Sequence, residues 1–286
     1  MRPASAAIHR AMNKHETNIA DHKVLDGRVY KPVGRCIYCG GKENLENEHI
    51  LPFGLSGSAI LPKSSCRNCA SITGKVEQDI LRGSFWPVRI FRDLKSRSKH
   101  KKASAQVSVS VIRNGKQDEI LLNIDEAPIL LPFPVFEPPW HLSQVEQAIG
   151  ISVLGHITIR FGTDPKTKGR TLGASEINII AELNPCAFAR MIAKIGYAFA
   201  YAEGAIADLE GKSYVLPAIL GEQDEIGRWV GTLTKPLETF PTMLHRVLIH
   251  HDSEKGLLFA EVQLFSDSPT PSYGVILGKL KPSKIT

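Results

Sequence analysis

The sequence predicts an α+β protein in two unequal parts. A small cysteine-pinned unit near the N-terminus precedes a larger α+β domain with a mainly antiparallel sheet and a central apolar helix. Three observations predict this. Cys36-Ile-Tyr-Cys39 and Cys66-Arg-Asn-Cys69 are two Cys-x-x-Cys pairs with 26 residues between them. Val107, Val109 and Val111 alternate with polar residues before Asn114-Gly115, and Ile120, Leu122 and Ile124 alternate after it, the pattern of a β-hairpin with a type I′ turn. Residues 187–201 are apolar at most positions, with Arg190 and Lys194 one turn apart, as in a buried helix.

In chain order, residues 1–32 are mixed in charge without a clear apolar period and read as an arm. Residues 33–83 read as knuckle, turn, short strand, Gly-bearing loop, second knuckle and helix. Ser64 or Ser65 can cap that helix, Ile72, Val76 and Ile80 form its stripe, and Gly83 can end it. Residues 84–104 form a basic connector, and residues 105–286 the α+β domain. Within that domain, 128–139 hold five prolines among large apolar residues and predict an extended, irregular crossing. Strands are predicted at 151–161, 243–249, 257–265 and 273–279.

Hydrophobic content of 43% and charged content of 22% exclude a disordered or fibrous chain. No apolar run is long enough for a membrane span, and the first 30 residues are too polar for a secretory signal, so a cytoplasmic protein without a membrane partner is expected. In a reducing compartment, paired cysteines bind metal more often than they form disulfides. Structural zinc on Cys36, Cys39, Cys66 and Cys69 is therefore expected, against a reading as redox pairs or buried thiols. Cys186, at the start of the apolar helix, reads as a small buried hydrophobe.

The net charge of +6 is concentrated. From Arg82 to Lys102, eight Lys or Arg face Asp93 alone, a local +7 that leaves −1 for the rest of the chain. Such a strip suits nucleic-acid phosphates, the alternative being a solvated connector. Arg67, Lys75, Arg82, Arg92, Lys95, Arg97, Lys99, Lys101 and Lys102 are the candidate contacts. His245, His250 and His251 invite a metal reading, but a hairpin end with solvated histidines accounts for them.

Between the cysteine pairs lies Glu48-His49-Ile50-Leu51-Pro52. Phosphodiester hydrolysis needs a base for water and a cation for the developing charge, and His49 and Glu48 offer a base and a cation ligand. Adjacent strand residues point to opposite faces, yet at a strand end or bulge both reach one site.

These residues, with Cys36-Ile-Tyr-Cys39-Gly40, Gly54-Leu55-x-Gly57, Leu61-Pro62, Cys66-x-x-Cys69 and Ile72-Thr73-x-x-x-Glu77, resemble the HNH endonuclease family, in its cysteine-rich branch with an EHI-x-P signature. The resemblance covers residues 33 to 82. It implies a ββα-metal fold holding one catalytic divalent ion above a structural zinc, with His49 as general base and Glu48 as a ligand of Mg²⁺ or Mn²⁺. Two positions depart from the family. Residues 50–65 contain no Asn, and Ala70 stands where a His or Asn usually completes the metal site. Thr73 and Glu77 share a helical face with Ala70 and can offer oxygen ligands, with Asn68 a further candidate.

Two functions follow from the resemblance and its gaps. One is a metal-dependent endonuclease, with DNA the expected substrate and a homodimer favoured by double-strand cutting. The other is a zinc-dependent nucleic-acid-binding protein with a non-catalytic site.

Overall fold

The computed structural model describes residues 27–96, 104–144 and 149–282. Most of the predicted arm, and Arg97, Lys99, Lys101 and Lys102 of the basic stretch, lie outside the described residues. The described residues form an α+β structure whose sheets are antiparallel.

In the small unit, β1 (Leu45–His49) pairs antiparallel with β2 (Ile60–Cys66), and the register shifts between Glu46 and Glu48. Pro52 opens a short 3₁₀ turn, Phe53–Leu55, that ends the pairing on the β1 side. Strand β2 runs directly into α1 (Arg67–Arg82), with extended Cys66 at its N-cap and Gly83 at its C-cap. Ser64 and Ser65 are therefore not caps but buried β2 residues. The buried face of α1 is also rotated from the predicted stripe. It comprises Cys69, Thr73, Ile80 and Leu81, with Ile72 and Val76 only half-buried, because Cys69 must face the first knuckle.

The first part of the predicted connector is folded. Trp86–Phe91 forms α2, whose Val88 and Ile90 are buried. The basic residues here are spaced so that the apolar ones between them reach the core, a helical amphipathicity that a count of charges hides.

The predicted hairpin forms from β3 (Gln106–Arg113) and β4 (Lys116–Asn123), with Asn114 and Gly115 both at positive φ, as a type I′ turn requires. The proline-rich segment is not irregular: Pro128–Phe136 is β5, paired along its length with β6 (Val153–Gly162). Its prolines, Pro128, Pro132 and Pro134, fall on alternate positions. Their missing N–H groups thus share the side facing away from β6, the side on which the Phe136 N–H meets Thr232 Oγ1 at 2.8 Å. A short β7 (Glu176–Asn178) completes a three-stranded sheet in the order β4-β3-β7.

The predicted buried helix is α3 (Pro185–Ala202), capped by Asn184. It lies against the sheet formed by β8 (Val230–Thr232), β9 (His245–Asp252), β10 (Leu257–Leu264) and β11 (Ser272–Lys279), in the order β8-β11-β10-β9. At Gly196 an added Cβ would come within 3.0 Å of Ala260 Cβ and 3.1 Å of Val275, so glycine permits this close approach. The other side of α3 packs on α1. Cys186 is exposed on the first turn rather than buried, since the core-facing residues of α3 begin at Ala187.

One hydrophobic core runs across both parts, from Cys36 and Ile50 through Phe85 and Phe133 to Phe188, Phe265 and Tyr273. Thus the small unit is packed into the larger one, with α3 as the shared wall.

Candidate functional site

The four cysteines converge. Their sulfurs all lie within 4.8 Å of one another, and Cys39 Sγ is 3.7 Å from Cys66 Sγ. A tetrahedral zinc site with metal–sulfur bonds of about 2.3 Å has edges of about 3.8 Å, so the donor set fits zinc in number, chemistry and spacing. The thiols are also polarised. Cys66 is pulled down to about 7, first by the backbone N–H of Cys69, whereas burial first, and then Cys66, pushes Cys69 well up. A divalent ion would replace the protons these thiols share. The second knuckle is the β2–α1 junction, and the first is held against α3, where Tyr197 donates from its hydroxyl to Ile37 O at 2.6 Å.

Beside this cluster lies a cavity of about 410 Å³, lined among others by Glu48, His49, Thr73, Glu77, Arg82, Trp86 and Lys194. The register shift in β1 and the position of His49 at the strand end bring neighbouring Glu48 and His49 to one cavity, as the sequence argument required. Glu48 is buried, and the His49 ring packs edge-on to Phe53 at 5.6 Å.

Sequence reasoning did not find the residue at the centre of the site. The Lys194 ammonium, on a side chain only 3% exposed, lies 2.6 Å from Glu48 Oε1 and 2.9 Å from Glu77 Oε1, and donates to the His49 carbonyl. Burial alone would lower its pKa, but the two carboxylates outweigh burial and raise it, so Lys194 is charged. Burial, opposed by Lys194 and reinforced by Glu77, raises the pKa of Glu48. Two carboxylates around one ammonium give a formal charge of −1, and the nearby buried Tyr38 hydroxyl is pushed up by burial and then by both carboxylates. The signal in the sequence is a lysine, one turn after Arg190, in a mostly apolar helix, which must find a counter-charge if buried.

The other predicted ligands are placed less favourably for a second metal. Thr73 donates its hydroxyl to Cys69 O at 3.1 Å, as a buried helical threonine does, and Ala70 offers no ligand. Asn68 is exposed in the first turn of α1. Among the described residues, the four cysteines are the group of His, Cys, Asp and Glu side chains that converges as metal ligands. A divalent ion added between Glu48 and Glu77 would face the Lys194 ammonium, at a cost of about 4 kcal/mol per unit charge at ~4 Å and intermediate dielectric. A catalytic Mg²⁺ or Mn²⁺ does not fit this donor set.

Of the predicted phosphate contacts, Arg82 is exposed and lines the cavity, Lys75 and Lys95 are exposed, and Arg67 is exposed 3.7 Å from Glu46. Arg92 is committed elsewhere. It makes a two-pronged pair with Asp267, at 3.1 and 2.6 Å, and lies over Phe161 and Phe265. Arg89, counted in the same strip, braces the site loop by donating to Gly54 O and Leu81 O, each at 2.6 Å.

The histidines near the last hairpin are mostly not solvated. His245 accepts from Phe265 N at Nδ1 (3.1 Å), so its Nε2 donates to Leu55 O (2.9 Å), tying β9 to the loop after His49. His250 stacks on Phe259 and meets Glu261 Oε2 at 3.1 Å, while the half-exposed His251 meets Asp208.

Comparison with protein-family models, with curated proteins and with solved structures yields no match. No helix among the described residues is long and apolar enough to cross a membrane.

Proposed function

We propose that the chain is an endonuclease hydrolysing phosphodiester bonds of nucleic acid at the His49 cavity. The reading is supported by one observation above others: His49 ends a bulged strand at a cavity whose rim carries exposed Arg82 and half-buried Trp86, on the same strand–helix unit that carries the four-cysteine cluster. In this reading the cysteines hold a structural zinc that keeps the β1–β2 pair and α1 in place. His49 takes the proton of the attacking water, imidazole being the side chain that exchanges protons near neutral pH. Arg82 meets the phosphate, with exposed Arg67, Lys75 and Lys95 extending the grip along the backbone, and Trp86 offers a face to a base. The divalent ion that the resemblance implies finds no suitable place between Glu48 and Glu77, and no step is assigned to it.

A second reading is favoured by Lys194 itself. With an ammonium already between the carboxylates, the unit can serve as a zinc-held nucleic-acid-binding module without hydrolysis.

Zinc-loaded full-length protein, incubated with plasmid, single-stranded DNA and RNA, with and without added Mg²⁺ or Mn²⁺, tests both. The endonuclease reading expects cleavage that His49→Ala lowers by about 10² or more while zinc content is kept. An inactive wild type whose binding survives and weakens with salt selects the second reading.

A further inference from the structure

We propose that Lys194 stands in place of a divalent cation in this cavity, its ammonium bridging Glu48 of β1 and Glu77 of α1, so that helix α3 rather than a soluble ion closes the site. The proposal deepens the reading of the His49 cavity as a phosphodiester site, and it rests on that reading only for its consequence in catalysis.

Three features carry it. The bridged groups come from the strand and the helix between which a catalytic ion would be pinched, and each gives one carboxylate oxygen to Nζ, at 2.6 and 2.9 Å. The third N–H is taken by the His49 carbonyl, so every proton of the ammonium has an acceptor within the site. The lysine thereby sets the backbone of the very residue assigned as base. Finally, the cluster is locked in place: Lys194 is 2% exposed, Glu48 6%, and the helix that carries the lysine packs on α1 and on the four-stranded sheet.

This arrangement also bears on Ala70 and Thr73. A site whose cation is supplied by the protein needs no ligand at position 70, and it frees the Thr73 hydroxyl to bond within its own helix. The departure at position 70 is then compensated from a helix far along the chain. Lys194 has no N–H left for a phosphate, so it is a positioning residue: it holds Glu48, Glu77 and the His49 backbone, and leaves contact with substrate to His49 and Arg82.

The deciding experiment is a Mn²⁺ titration of the zinc-loaded full chain, with free Mn²⁺ followed by electron paramagnetic resonance. Wild type is expected to show no Mn²⁺ site that depends on Glu48 or Glu77. Lys194→Met, which removes the ammonium and leaves both carboxylates, is expected to bind Mn²⁺ at least ~10-fold more tightly than wild type, and adding Glu77→Gln is expected to abolish the gain. A merely structural lysine would produce no such gain. Mn²⁺ binding by wild type that Glu77→Gln removes overturns the proposal, as does a folded Lys194→Met protein that gains no site. Should Lys194→Met not fold, wild type against Glu77→Gln decides alone. Absence of nuclease activity would sink the proposed function and leave these titrations as they stand, so the two can fail separately.

Discussion

Two clusters of ionisable side chains sit on the β1–β2–α1 unit, and they are assembled by opposite means. The four thiols come from one short stretch, Cys36 to Cys69, and meet through two tight knuckles and the β2–α1 junction. The Glu48–Lys194–Glu77 cluster takes its carboxylates from that stretch but its cation from α3, 145 residues after His49. A metal can organise its ligands from a nearly local loop, because the ion brings its own binding energy. An ammonium can do so only after the helix that bears it has been packed, so the second cluster is a product of the core and not a cause of it. One consequence is that residues 33–83 are incomplete as an isolated unit. Without α3, Glu48 and Glu77 lose their counter-charge, and Tyr38 loses its neighbour Tyr197 at 5.9 Å.

The comparison breaks most easily at the cysteines. Cys69→Ser should abolish zinc binding and with it an apparent contribution of about 10 kcal/mol or more, seen as zero zinc by metal analysis and rapid proteolysis within 33–82. Unchanged zinc content would remove the first cluster from the argument. Next in size is Lys194→Met, expected to cost about 3–5 kcal/mol in denaturant unfolding by stranding two carboxylates. Adding Glu48→Gln and Glu77→Gln should recover much of that loss. If the triple variant is no more stable than the single one, the lysine's role is packing rather than charge.

A third carboxylate sharpens the contrast. Glu261 is buried like Glu48, but it faces two cations, Lys235 and Arg246, and is hydrogen-bonded to His250. Burial would raise its pKa, yet the His250 hydrogen bond and the Lys235 charge hold it down at about 2, against an ordinary 4.5. Its contribution, about 3 kcal/mol, is present above pH 4.5 and lost as pH falls towards 2. Glu261→Gln should therefore flatten the acid limb of a stability–pH curve. Glu48 has the opposite sign. Its raised pKa means its contribution is greatest below the ordinary carboxylate value and is lost as pH rises through the shifted one, so Glu48→Gln should gain relative stability as pH rises. The smallest effect is expected at Arg67, whose pairing with Glu46 at 3.7 Å is largely exposed. Arg67→Ala should change unfolding free energy by less than ~0.5 kcal/mol while weakening nucleic-acid binding.

What was legible in the sequence is what depends on short spacing. The knuckles, the Asn114-Gly115 turn and the buried α3 each rest on neighbours within a few residues, and they were found. Structure departs from pattern where a neighbour is remote. The buried face of α1 differs from its apolar stripe because Cys69 turns the helix towards the first knuckle. The proline run is a regular strand because its partner, β6, comes from beyond a further loop. The basic stretch read as a phosphate strip includes Arg92, whose partner Asp267 is 175 residues away.

By itself, then, the sequence determined an α+β chain with a four-thiol cluster able to hold a metal, and placed Glu48 and His49 between its halves. Only the tertiary structure decided what those two residues face. Side chains within a knuckle, turn or helix are related by fixed backbone geometry, whereas an ammonium buried between two carboxylates depends on how α3 packs against α1 and its sheet. Local periodicity marks Lys194, together with Arg190, as an oddity in a mostly apolar helix. It is the packed core that makes it the cation of the site.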